Sequence, residues 1–178
     1  MPFLLNLLNK IPLNKNNTGI LSVTAKETIL IYENISVQDK TVAILNSNSG
    51  MLGIAAVGLH CSYCSYFNWQ INEILKSNAK KYNIDLILID NNFKNDQFFD
   101  FCIIEPSMQK TVNYDNYLKI SSNLSQNTIL IIKSNIADQK YTNTGNLLGE
   151  VFIHELGSSH YSKNTSKAIK YDIIHIPH

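Results

Sequence analysis

Four short apolar runs, Thr41–Leu45, Asp85–Asp90, Phe99–Ile104 and Thr128–Ile132, constrain this chain more than any other feature. None of them alternates apolar with polar residues, so none suits a strand with one wet face. Such runs fit strands buried on both faces, as in a parallel sheet covered by helices. The segments around them carry helical signals. Thr24 with Glu27 three residues later has the capping-box spacing and predicts a helix over 24–35. Gly50–Val57 is short and rich in small residues. Asn68–Tyr82 places Trp69, Ile71, Ile74 and Leu75 on one side, with Lys76, Lys80 and Lys81 elsewhere and Asn68 as its expected N-cap. Asn113–Asn123 carries Tyr117, Leu118 and Ile120.

Strand and helix in alternation predict an α/β fold with a Rossmann-like, doubly wound, mostly parallel sheet. The four runs are expected as parallel neighbours, with a strand around His60–Tyr66 between the first and third of them, toward one edge. The tail changes character. Val151–Leu156 and Tyr171–Ile176 are two β-runs joined by the polar stretch Gly157–Lys170, and with no helix between them they predict an antiparallel pair closing one edge of the sheet. A ligand is expected at the carboxyl end of the sheet where the strand order reverses, beside Asn46–Gly50 and Glu105.

A length of 178 residues fits one domain. It divides into a lead-in and helix over 1–36 and a Rossmann-like core over 41–178. Fifteen basic residues, all Lys, stand against fourteen acidic, for a formal net charge of +1. That balance gives no general pull toward nucleic acid. Polarity comes instead from 23 Asn residues. No apolar run reaches the roughly 18 residues of a membrane span, and the N-terminus lacks the basic region and cleavage site of a secretion signal. Three cysteines are a poor basis for a disulfide framework, so a reducing cytoplasm is expected.

Several stretches resemble the ribosomal RNA guanine-N2 group of class I S-adenosylmethionine-dependent methyltransferases. Residues 41–57, TVAILNSNSGMLGIAAV, are similar to that group's first strand and cofactor loop, VLDLGCGSGVLGIAA. Tyr66–Ile84 then matches DINPEALELAKENAKKNGI without a gap, and Phe98–Ser107 falls where the group has FDLIVSNPPY. The segment Asn113–Ser134 resembles the helix and strand that follow. The resemblance covers roughly residues 41–176 and is nearest to the degenerate N-terminal half of the group's two-domain members. Those proteins are roughly twice this length, so the resemblance implies a catalytic half outside this chain, with ribosomal RNA or that catalytic domain as partner.

The resemblance also implies where a cofactor would sit: at Asn46, Asn48 and Gly50, with Tyr66 at the ribose position. Here Ile44 occupies the loop's acidic position, Asn46 and Asn48 replace two glycines, and only Gly50 remains. Tyr66 cannot accept two ribose hydroxyl protons as a carboxylate does. Loss of such a partner costs on the order of several kcal/mol, or thousands-fold in affinity. No cofactor is therefore expected, and S-adenosylmethionine only if the pocket is retained. Asn tolerates left-handed backbone better than most residues, so the loop itself can survive. At the family's Asn-Pro-Pro-Tyr this chain has Glu105, Pro106, Ser107 and Met108. Glu105 could still accept a hydrogen bond from an exocyclic amine, which makes Glu105 and Pro106 the candidate catalytic pair. The alternative for Glu105 is a strand-end carboxylate facing solvent.

Three further patterns compete with ordinary readings. Cys61-Ser-Tyr-Cys64, after a β-run and before a helix, has the layout of a thioredoxin-like thiol-disulfide enzyme. The ungapped match instead places both cysteines inside the second strand, as small buried residues. His154, Glu155 and His160 suggest a zinc protease, but H-E-x-x-H needs its second His where Ser158 stands, so no metal is expected. Lys163, Lys167 and Lys170 could touch RNA phosphate, against the plainer reading of a solvated loop.

Overall fold

A computed structural model describes residues 2–12, 23–90, 93–106, 114–135, 141, 143–154 and 168–178. The elements in chain order are α1 (Pro2–Leu8), α2 (Ala25–Tyr32), β1 (Thr41–Leu45), α3 (Met51–Gly58), β2 (Tyr63–Asn68), α4 (Glu73–Tyr82), β3 (Asp85–Leu88), β4 (Phe101–Ile104), α5 (Tyr114–Leu124), β5 (Asn127–Lys133), β6 (Asn146–His154) and β7 (Ala168–Pro177). The seven strands form one sheet in the order β3-β2-β1-β4-β5-β7-β6. The first five are parallel, β7 runs antiparallel to β5, and β6 antiparallel to β7. This is the doubly wound α/β architecture with an antiparallel edge pair. Strand order reverses between β1 and β4, which puts the switch point at their carboxyl ends.

In β1, β4 and β5 the lack of alternation follows from burial on both faces; the Asp85–Asp90 run departs from this, because β3 is an edge strand whose four residues are exposed or half-buried. Val42 and Ile44 of β1 face a cluster built with α1 to α4, including Leu8, Ile31, Leu52 and Leu75. Ala43 and Leu45 face the other cluster, with Tyr114 and Leu124 of α5 and Phe67 and Phe99. Successive side chains point to opposite faces, and both faces are dry. The N-terminal lead-in belongs to this core. Leu4, Leu8 and Ile11 are buried in the first cluster, and α1 approaches α3 so closely that a Cβ on Gly58 would come within 2.7 Å of Leu4.

Several boundaries move from their expected places. Thr24 is the N-cap of α2, with both arms of the capping box formed, and the helix stops at Tyr32 short of 35. Asn68 does not cap α4. It ends β2, in register with Leu88 of β3, and its carbonyl accepts Ile89 N–H at 2.8 Å. The cap is Asn72, whose side chain accepts Leu75 N–H at 2.8 Å. The second strand begins at Tyr63, not His60, and lies between β1 and β3; the third run, β4, pairs directly with β1. β3 ends at Leu88, and Phe99 makes only an isolated bridge to Ser125 before β4 starts. The edge strands are longer than their apolar cores suggest, because ladder pairing carries them through Asn146 and Pro177. Leu156 lies outside the described residues.

Candidate cofactor crevice

The loop from β1 to α3 lies at the switch point, and its geometry follows from a dense set of side-chain bonds. Asn46 adopts a left-handed backbone (φ 64), and its N–H donates to Phe67 O at 2.9 Å. Asn accepts this conformation where most residues resist it. Gly50, at φ 81, is the N-cap of α3, and a Cβ there would lie 2.8 Å from the Tyr66 hydroxyl. Ser47, Asn48 and Ser49 are all buried.

Each of the four consecutive carbonyls from Ser47 to Gly50 is capped by a side chain from elsewhere. Asn68 Nδ2 donates to Ser47 O at 2.6 Å and Asn72 Nδ2 to Asn48 O at 2.8 Å. Asn78 Nδ2 donates to Ser49 O at 2.8 Å, and Tyr66 OH to Gly50 O at 2.6 Å. The loop's amides are also engaged. Ser47 N–H donates to Asn68 Oδ1 at 3.1 Å, Asn48 N–H to Glu105 Oε2 at 3.4 Å, and Gly50 N–H to Ser47 Oγ at 3.1 Å. All four carbonyls and these three amides are thus satisfied within the protein.

Glu105 is central to the arrangement. Its N–H continues the sheet by donating to Leu45 O at 3.1 Å, and its carboxylate accepts Ser47 Oγ–H at 2.6 Å. The expected solvent-facing alternative does not hold, because the residue is only 3% exposed. Burial raises its pKa from 4.5 to about 7, against the lowering effect of the Ser47 and Asn48 hydrogen bonds. Pro106, next to it, is buried as well. Tyr66, expected at the ribose position, is wholly enclosed beneath α3, and burial pushes its phenol well above the ordinary value. The carboxyl tip of β2 is Asn68, two residues on and on the same face. Sequence reasoning assigns Asn68 to a helix cap, includes Ser47 only as part of the Asn46–Gly50 loop, and misses Asn78. The spacing of Asn68, Asn72 and Asn78 is the only trace of their shared role.

Beside the closed loop an open groove of about 470 Å³ runs between the carboxyl ends of β2 and β3 and helix α5, lined by Trp69, Asp90, Phe93, Asn116, Tyr117 and Lys119 among others. Trp69 and Tyr117 lie with ring centroids 4.8 Å apart. Planar ligands stack on such surfaces.

The remaining candidates separate. Lys170 pairs with Glu150 across β6 and β7, and that hydrogen bond raises its pKa; Lys163 and Lys167 lie outside the described residues. No group of three or more metal-ligating side chains occurs among the described residues, and no helix among them is long and apolar enough to cross a membrane. Glu155 and His160 are outside the described residues. The thioredoxin layout fails, since Cys64 enters β2 and α4 begins only at Glu73. Cys61 does not lie inside the strand as expected. It precedes it and is half-buried, while Cys64 is buried in β2.

No protein-family model and no curated protein matches the chain. Solved structures do. A Pyrococcus horikoshii protein assigned as an RNA methyltransferase superposes with a TM-score of 0.70 at 16% identity, over 98% of this chain and 96% of that one. A precorrin-6y C5,15-methyltransferase of Geobacter metallireducens gives 0.66 at 13% identity, over 94% and 95%. A protein assigned as a methyltransferase and solved with SAH gives 0.58 at 15% identity, over 89% of this chain and 50% of that one. The chain has the class I methyltransferase fold.

Proposed function

We propose that this chain, acting as one domain, is a non-catalytic methyltransferase-like domain of a ribosomal RNA guanine-N2 methyltransferase, positioning RNA or bracing a catalytic domain in the reducing cytoplasm. The observation that carries this reading is the self-capped loop at Ser47–Gly50. To admit S-adenosylmethionine the protein would have to give up several buried hydrogen bonds, each worth about 1 kcal/mol, with no carboxylate at Ile44 or Tyr66 in return. The residues present do not fit the cofactor. Calorimetric titration of S-adenosylmethionine into the purified chain is expected to show no binding. A low-micromolar dissociation constant would instead support a small active RNA methyltransferase with a divergent pocket, using Asn46–Gly50 and Glu105.

The open groove favours RNA over bracing alone. Trp69 and Tyr117 offer faces for an unpaired base, with Lys119 close by for phosphate. Trp69 is the sole tryptophan of the chain, so its fluorescence reports on the groove directly. Quenching by a single-stranded RNA oligonucleotide, lost in Tyr117→Ala, is the expected result. Unchanged fluorescence at high RNA concentration would leave bracing as the role.

A further inference from the structure

We propose that Glu105 is a proton-controlled latch on the loop between β1 and α3. As the neutral acid it holds the loop's amide edge, Asn48 to Gly50, shut; on ionising it leaves for solvent and lets that edge open. The geometry runs through one side chain. Glu105 follows β4 at the switch point, and its N–H donates to Leu45 O at 3.1 Å, so the sheet fixes its backbone. Ser47 Oγ–H donates to its Oε1 at 2.6 Å, and Asn48 N–H reaches its Oε2 at a long 3.4 Å. Ser47 Oγ in turn accepts Gly50 N–H at 3.1 Å, and Gly50 is the N-cap of α3. One carboxyl group therefore ties the loop to the start of the helix. The carbonyl edge is held separately by Asn68, Asn72, Asn78 and Tyr66, none of which changes charge near neutral pH.

No cation compensates a charge at this position among the described residues. Glu105 is 3% exposed, and the ion pairs formed among those residues, Lys40 with Asp100 and Lys170 with Glu150, lie elsewhere. In the sheet it is flanked by Leu45 of β1 and, one register step past Leu130, by Ile131 of β5. Lys133 stands two residues further on, half-buried at the end of that strand. The loop and α3 carry no titratable side chain. Tyr66 from β2 and Tyr32 from α2 are close enough to feel the charge, and burial raises both phenols, which stay neutral. A carboxylate buried without a cation is strongly unfavourable, so such a group stays protonated or moves to water. Burial accordingly raises the Glu105 pKa to about 7, which puts the change of state in the neutral range. Ionised and hydrated, Glu105 no longer engages Ser47 Oγ or Asn48 N–H, and the Ser47 hydroxyl can turn away from Gly50 N–H. The latch is a property of this loop alone and needs no RNA, cofactor or partner.

Native-state hydrogen exchange of the full chain, followed amide by amide by NMR from pH 4.5 to pH 8 and corrected for intrinsic rates, tests this. With a carboxyl pKa of 4.5 when open and about 7 when shut, the opening equilibrium should rise about a hundredfold over that interval. Asn48 and Gly50 should show the rise at a protection well below that of Ile103 and Ile131 in the sheet. Dilute urea should barely affect it, since a local opening exposes little surface. Glu105→Gln should abolish the pH dependence. Because that change falls at a buried position, Ser47→Ala is the second variant: Asn48 should keep its pH response and Gly50, reached only through Ser47 Oγ, should lose it. Protection independent of pH in the wild-type chain would overturn the proposal. So would an equal response in Glu105→Gln, a Gly50 response that persists in Ser47→Ala, or loop amides that exchange only together with the strands in global unfolding.

Discussion

A Cβ on Gly53 would collide with the Tyr66 ring, which is wholly buried and tied to Gly50 O, so the ring has nowhere to go. Alanine normally favours a helix over glycine by about 1 kcal/mol. Gly53→Ala is nonetheless expected to lose about 1–3 kcal/mol by overpacking, read as a lower urea midpoint. In a Tyr66→Leu background the same change should become neutral or stabilising, since the obstruction is gone. Glu105 gives a second residue-level prediction. Its folded pKa of about 7 lies above the ordinary 4.5, so the native state prefers the protonated acid. Its contribution is fully present below pH 4.5 and is lost as the pH rises through 7. Relative to Glu105→Gln, the wild-type chain should lose about 3 kcal/mol of stability across that interval. Urea denaturation of both proteins at a series of pH values checks this; parallel curves would show that Glu105 ionises without cost.

At the level of elements, the capping box of α2 was readable because it is local: Thr24 accepts Glu27 N–H, and Glu27 returns a bond to Thr24 N–H at 2.8 Å. Thr24→Ala should therefore cost about 1 kcal/mol in a thermal or denaturant melt, while Lys26→Ala on the exposed side should cost little. The error at Asn68 has the opposite cause. Asparagine caps helices and also bonds loops, and nothing within a few residues distinguishes the two. What decides it is β3: pairing with Leu88 draws Asn68 into the sheet and leaves Asn72 to start the helix. The cysteine motif was misplaced for the same reason, since the start of β2 is set by its register with Thr41.

For the molecule as a whole, α1 shows that the lead-in is part of the core and not an appendage. Leu8 is fully buried, so Leu8→Ala is expected to destabilise the chain by about 2–5 kcal/mol, as much as a change in a central strand. A loss below 1 kcal/mol would mean that α1 packs only loosely. Apolar runs without alternation, a late β-pair and helical segments between were enough for the chain to specify a doubly wound sheet, because burial on two faces writes itself directly into composition. The degeneration of the cofactor loop was equally plain at Ile44, Asn46 and Asn48. Which groups close that loop was not, since Tyr66, Asn68, Asn72, Asn78 and Glu105 arrive from three other elements and converge only when β2 and β4 dock on either side of β1. Local propensity and hydrophobic pattern reside in neighbouring residues, whereas the burial of Glu105 and the capping of the Ser47–Gly50 carbonyls depend on contacts that exist only after the sheet has formed.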